Sequence, residues 1–327
     1  MEWKNDFIDQ VGIDYPIIGG AMYPCSNVEL VAAVSEAGGI GIVQPMSLVY
    51  VHGMDFRKGL ERLRELTKKP FGLNIILEST SEIYLKRARE WIDISLEMGC
   101  RFFVTSLGNP KWVVTQVKPM GGIVYHDITA KKWANKAIEA QVDGLICVNN
   151  EAGGHAGTYS PLELYEQLKD YGLPLICAGG IGDEKKMAEA LAIGYSGVQI
   201  GTRFIATIEC NQKQDYKQAI LNATANDIVV TERVTGIPLS VIKTPYVEKV
   251  GTKVGPIQKW LFTHSWTKKW IRMWYWLKAF HQFKNVTVKG GSSKDYWQAG
   301  KSVEGIHEIL SVKDIIDRFI TYVKEAK

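Results

Sequence analysis

The stretch "NNEAGGHAG", residues 149–157, sets a single histidine, His155, between Gly153, Gly154 and Gly157. An imidazole exchanges protons near neutral pH, with a reference pKa of about 6.5. A backbone stripped of side chains around it suggests that something flat or bulky approaches the main chain. Two more bare sites follow downstream, Gly179–Gly180 in "AGGI" and Gly201–Thr202 in "QIGTRF". Backbone amides and a hydroxyl placed ahead of helices can hold a phosphate. Tight turns would use the same glycines, but two such pairs in neighbouring loops favour the phosphate. A planar group attached to it would lie across the same rim, within reach of His155. Glu151 is either a helix-capping or solvated carboxylate or part of that site. His126 could line the pocket, whereas His52, His264, His281 and His307 have no comparable setting.

These loops need a scaffold that brings them to one end. Short β-branched runs recur at 15–21, 39–44, 71–77, 101–106, 122–127, 144–149, 174–179 and 197–201. Between them lie stretches apolar at helical spacing and closed by glycine, such as "NVELVAAVSEAG" and "DEKKMAEALAIG". Strands alternating with helices predict an α/β fold, a parallel (β/α)8 TIM barrel, whose functional groups sit at the C-terminal ends of the strands. An open doubly wound sheet is the rival. It is disfavoured because no G-x-G-x-x-G follows the first strand.

At 327 residues, 46% hydrophobic and 23% charged, the chain has the composition of an ordinary globular protein with a large core. A net charge of +4, with no long basic run and no matching recognition motif, does not point to a nucleic-acid partner, and none is expected. Cys25, Cys100, Cys147, Cys177 and Cys210 are scattered and never form C-x-x-C. That spacing argues against a disulfide framework or a metal site and for reduced, mostly buried thiols in the cytoplasm. The start of the sequence lacks a secretory pattern, and no apolar run is long enough for a transmembrane segment. No pattern specifies an interface, so a homo-oligomer stays open.

The alternating rhythm fails after residue 208. We expect a barrel over 1–225, a smaller insertion on the substrate side over 226–300, and a C-terminal helix over 301–327 packing back on the barrel. Within the insertion, residues 258–284 are dense in tryptophan and lysine, and Trp266, Trp270, Trp274 and Leu277 share one helical face. Such a basic, aromatic helix could rest on a membrane interface. A lid over the barrel mouth, or a contact with a second subunit, is the preferred expectation, because both ends of the insertion return to the barrel.

Taken together, "NNEAGGHAG", "AGGI" and "QIGTRF" resemble the FMN-dependent nitronate monooxygenases, formerly called 2-nitropropane dioxygenases. The likeness runs through "YPIIGGAM", "GLNIIL" and "TERVTGIP" to "YWQAGKSVEGI", most of the chain. It implies a TIM barrel holding FMN, with His155 as the base that serves a nitronate or nitroalkane and molecular oxygen. It further implies Asn74 as a flavin contact, Gly153 and Gly180 beside the cofactor, and Gln199, Ile200, Gly201 and Thr202 around the phosphate. Ala21 and Met22 would lie near the isoalloxazine ring. The chain departs from the pattern with Val148, where many members carry glutamine, and with "GGAM" for the commoner "APM". Those changes bear on substrate preference. Similar barrels include NAD(P)H-dependent quinone reductases and FMN-containing enoyl-acyl-carrier-protein reductases, which form a second expectation. A flavin-binding protein without turnover is a third.

Overall fold

A computed structural model of the chain describes residues 4–77, 82–233, 238–253 and 296–326. The tryptophan-rich stretch 258–284 lies outside the described residues. Eight parallel strands close into a barrel: β1 (Ile17–Gly19), β2 (Ile40–Val43), β3 (Phe71–Ile76), β4 (Phe102–Ser106), β5 (Ile123–Ile128), β6 (Gly144–Val148), β7 (Leu175–Ala178) and β8 (Gly197–Ile200). Closure is made by β1 on β8, with Ile17 opposite Val198 and Gly19 opposite Ile200. An open sheet would leave those two edges unpaired, so the doubly wound alternative is excluded. Seven strands fall within the runs expected from the sequence, and β5 runs one residue past its own, to Ile128.

Side chains alternate along a strand, and here the two faces bury different cores. Ile18, Ile40, Ile42, Phe102, Val104, Tyr125, Ile146, Ile176 and Ala178 fill the barrel interior. Their neighbours Ile17, Val43, Leu73, Phe103, Val124, Leu145, Cys177, Val198 and Ile200 face the surrounding helices. The helix Val28–Glu36 comes so close to β2 that any side chain at Gly41 would strike the carbonyl of Val31.

The N-terminal end of the barrel is stoppered by the helix Asp6–Val11. Asn5 caps it, accepting from the Ile8 amide at 3.0 Å while its own amide donates to the Ser196 carbonyl at 2.7 Å. Phe7 is fully buried, with its ring 5.6 Å from that of Tyr125 and 6.2 Å from that of Phe102. Each such buried ring stabilises the fold by about 1.5–3 kcal/mol through removal of apolar area from water.

Beyond the barrel, β9 (Ile228–Thr231) and β10 (Leu239–Ile242) form an antiparallel pair over a small core of Leu239, Val241, Val247 and Tyr296. The last helix, Val312–Glu325, is capped by Ser311 and packs against the helices Val28–Glu36 and Glu184–Ile193. Among the described residues no helix is long and apolar enough to cross a membrane.

Candidate active site at the C-terminal mouth of the barrel

The period-two alternation decides which groups look into the mouth. On β3, Asn74 stands between the helix-facing Leu73 and Ile75, so it points inward; it is buried, and its amide makes a long 3.4 Å bond to the Val104 carbonyl. On β8, Gln199 points inward between Val198 and Ile200, against the backbone of Gly20. Ile200, expected near the phosphate, buries its side chain under the helices and offers the mouth only its backbone.

On β5 the sequence expectation was one residue out of phase. His126 pairs in register with Thr105 and faces the helices; its Nδ1 lies 2.8 Å from the Thr105 hydroxyl, and burial lowers its pKa to about 4. It does not line the pocket. Asp127 does. It faces the interior opposite Ile146, and its Oδ1 is buried with no hydrogen-bond partner. Loss of hydration raises its pKa to about 7, since a carboxylate without donors is costly to keep charged. No motif marks this residue, and only the strand's inside–outside phase could have found it.

His155 follows β6. Its ring reaches solvent, and no hydrogen bond ties it to any described residue. Protein nonetheless crowds round it, and that desolvation holds its pKa below the ordinary 6.5. Both facts suit a ring on the wall of an open cleft. At neutral pH the imidazole is therefore uncharged and free to accept a proton.

The bare backbone around His155 has a different cause from the one its sequence suggested. A Cβ on Gly153 would come within 2.9 Å of Ala299 and Gly300, and one on Gly157 would collide with the Val148 carbonyl. Gly154 has φ +70° and pairs with Ser240 of β10, whose amide donates to the Gly154 carbonyl at 2.8 Å. The protein's own segment around Ala299–Ser302, rather than a ligand, occupies the space beside Gly153. This strap continues past the other glycine loops. Lys301 donates its amide to the Glu151 carbonyl at 2.9 Å, Gly300 donates to Thr202 Oγ1 at 3.1 Å, and Ser302 blocks any side chain at Gly182.

Asn149, fully buried and also missed in the sequence, knits the loops together. Its side-chain amide donates to the Gly179 carbonyl at 3.1 Å, and its Oδ1 accepts from the Glu151 amide at 2.8 Å. Gly180, at φ +82°, lies beneath the Glu151 carboxylate. Glu151 thus belongs with the glycine loops; the cap of the following helix is made by Ser160 and Glu163. Gly201 is open, with Met22 Sδ the nearest atom to a notional Cβ at 3.6 Å, and Ala21 adjoins the interior core. Cys25 is buried with a strongly raised pKa, an inert thiol.

The geometry therefore gathers Ala21, Met22, Gly201, Thr202, Gly153 and Gly180 along one arc of the rim, with Gln199 inside it. Asn74 reaches the mouth from β3, and Asp127 from β5. Bare amides, a hydroxyl whose oxygen accepts from Gly300, and inward amide groups suit a phosphorylated planar cofactor.

Known proteins resemble the chain over most of its length. The family model for nitronate monooxygenase matches residues 4–321. A (3aS,4S,5R,7aS)-5-hydroxy-7a-methyl-1-oxo-octahydro-1H-indene-4-carboxyl-CoA dehydrogenase of Mycobacterium tuberculosis is 29% identical over 254 residues, 76% of this chain and 69% of that protein. A probable nitronate monooxygenase of Staphylococcus haemolyticus is 26% identical, with 84% of this chain and 91% of that protein covered. The structure of FabK from Thermotoga maritima superposes with a TM-score of 0.81 at 31% identity, over 99% of this chain and 97% of that one.

Proposed function

The chain belongs to the nitronate monooxygenase family and is a flavin-dependent oxidoreductase, and from that footing we propose that it oxidises alkyl nitronates with molecular oxygen through bound FMN. The observation that carries this reading is His155, its pKa held below the ordinary 6.5 and its ring without a hydrogen-bond partner among the described residues, on the same rim as the open Gly201 loop and the Gly180 loop beneath Glu151. When bound, FMN would take two electrons from the substrate and pass them to oxygen. The chain's own groups do the rest. Amides at Gly180 and Gly201 and the Thr202 hydroxyl hold the phosphate, while Asn74 and Gln199 address the ring. Glu151 must turn aside from Gly180 to admit an anion. His155 removes the proton beside the nitro group when the neutral nitroalkane is the substrate; a nitronate arrives already deprotonated and needs no base.

The resemblance to a CoA-thioester dehydrogenase and to FabK favours a second reading, an NAD(P)H-linked flavin oxidoreductase of the quinone reductase or enoyl-acyl-carrier-protein reductase type. One experiment separates the two. The FMN-loaded protein is mixed anaerobically with NADH or NADPH, and separately with a nitronate. Flavin bleaching by the nitronate alone supports the first reading; bleaching by the nucleotide supports the second.

We also propose the division into a barrel over 1–225, a substrate-side insertion over 226–300 and a C-terminal helix over 301–327. Five buried, unpaired cysteines support a cytoplasmic home.

A further inference from the structure

We propose that Asp127 is a second proton-handling group of the mouth, one that takes up a proton when negative charge accumulates on the bound flavin. This rests on the reading that the mouth holds FMN. The argument starts from a misfit. A carboxyl projects into the barrel interior from β5, its Oδ1 is shut away from water, and no described donor satisfies it. A buried carboxyl without a partner costs roughly 1–3 kcal/mol or more, so a fold that keeps one at the mouth rather than another apolar residue has placed it against something.

The surroundings leave Asp127 as the group that titrates near neutrality. Its register partner on β6 is Ile146, and on β4 the last registered pair is Thr105 with His126, followed by Ser106, so neither neighbouring strand brings a charged group to it. The Cys147 thiol faces the helices and is held protonated, partly by Asp127 itself. His126 on its own strand points away and is neutral. Asn74 and Gln199 across the mouth carry no charge. His155 and Glu151 stand on the rim, and neither contributes to the displacement of Asp127, which burial alone raises to about 7. A carboxyl so poised responds to any new charge placed beside it.

Two-electron reduction of a flavin by the donor substrate delivers two electrons and places one proton on N5. The second negative charge stays on the N1–C2 carbonyl edge unless another proton arrives. Above about pH 7 Asp127, ionised while the flavin is oxidised, would accept a solvent proton as that charge forms. Sign follows directly: the reduced state holds Asp127 protonated to higher pH than the oxidised state does. Between those two ionisations reduction consumes one proton more than it would otherwise, so the midpoint potential falls more steeply with pH above about 7.

The test is a spectroelectrochemical titration of the FMN-bound protein and of Asp127→Asn between pH 5.5 and 9. The native protein is expected to take up one more proton per two electrons than the variant in the upper half of that range. A second measurement needs no variant. The reduced-minus-oxidised infrared difference spectrum of the native protein at pH 8 should gain a protonated-carboxyl C=O band that shifts on 13C-aspartate labelling. FMN-bound protein with no such band, or with equal slopes in both forms, overturns this inference and leaves the proposed function standing. A native chain that binds no FMN overturns both.

Discussion

The two ends of the barrel are built from the same eight strands and have opposite characters. At the N-terminal end, Phe7, Phe102 and Tyr125 pack ring against ring, and even the Tyr125 hydroxyl finds Gln10 at 2.9 Å. At the C-terminal end, two or so residues further along, Asp127 has an orphaned oxygen, Asn74 holds only a stretched bond, and His155 has no described partner. Polar groups left unanswered in a folded protein cost stability, so the mouth spends what the stopper supplies. Stability and chemistry are thereby separated along each strand.

That division makes opposite demands on substitutions at the two ends. The largest effect is expected at the mouth. His155→Asn should retain yellow FMN and the native melting temperature but lower turnover of neutral nitroalkanes ~10²–10⁴-fold, the usual worth of a general base. Because the folded pKa lies below 6.5, native kcat/KM should stay on its plateau down through that pH and fall only in more acid solution, as the imidazole protonates. Full turnover in the variant would remove His155 from the mechanism.

Phe7→Ala is the mirror experiment. It should cost about 3–5 kcal/mol in denaturant unfolding, while KM of the surviving folded protein is unchanged. A change in KM instead would mean that the two ends are coupled. Gly182→Ala tests the strap at the mouth, since its new methyl meets the Ser302 carbonyl. We expect roughly 1–3 kcal/mol of destabilisation, with FMN affinity weakened in parallel as the strap is displaced. The smallest effect belongs to Tyr125→Phe, which removes one satisfied hydrogen bond at the sealed end. About 0.5–1.5 kcal/mol should be lost, with no change in the visible flavin spectrum.

Much of the barrel was legible because its signals are local. Alternating β-branched runs and glycine-closed helices repeat within a window of a few residues, and all eight strands follow from them. The rim glycines at 153, 180 and 201 were also visible as types. What they do was not. Gly153 is bare because residues 299 and 300 pass beside it, a relation between segments far apart in the chain. The choice between His126 and Asp127 turned on a single step of strand phase, which an apolar run buried on both faces does not reveal. Histidine drew attention by its chemistry, and the aspartate beside it held the inward position.

The strap also sets an order of events during synthesis. Gly153, Gly180, Gly182 and Thr202 emerge from the ribosome long before residues 299–302, which fill the gaps between their loops. A nascent barrel with its first two hundred residues exposed has all eight strands to pair, yet its mouth lacks the backbone that joins the β6 loop to those after β7 and β8. Flavin retention is thus expected only once the strap has been made. Ribosome-bound chains stalled before residue 296 should resist protease at the strands and remain colourless, and flavin retention should appear only with chains long enough to thread the strap.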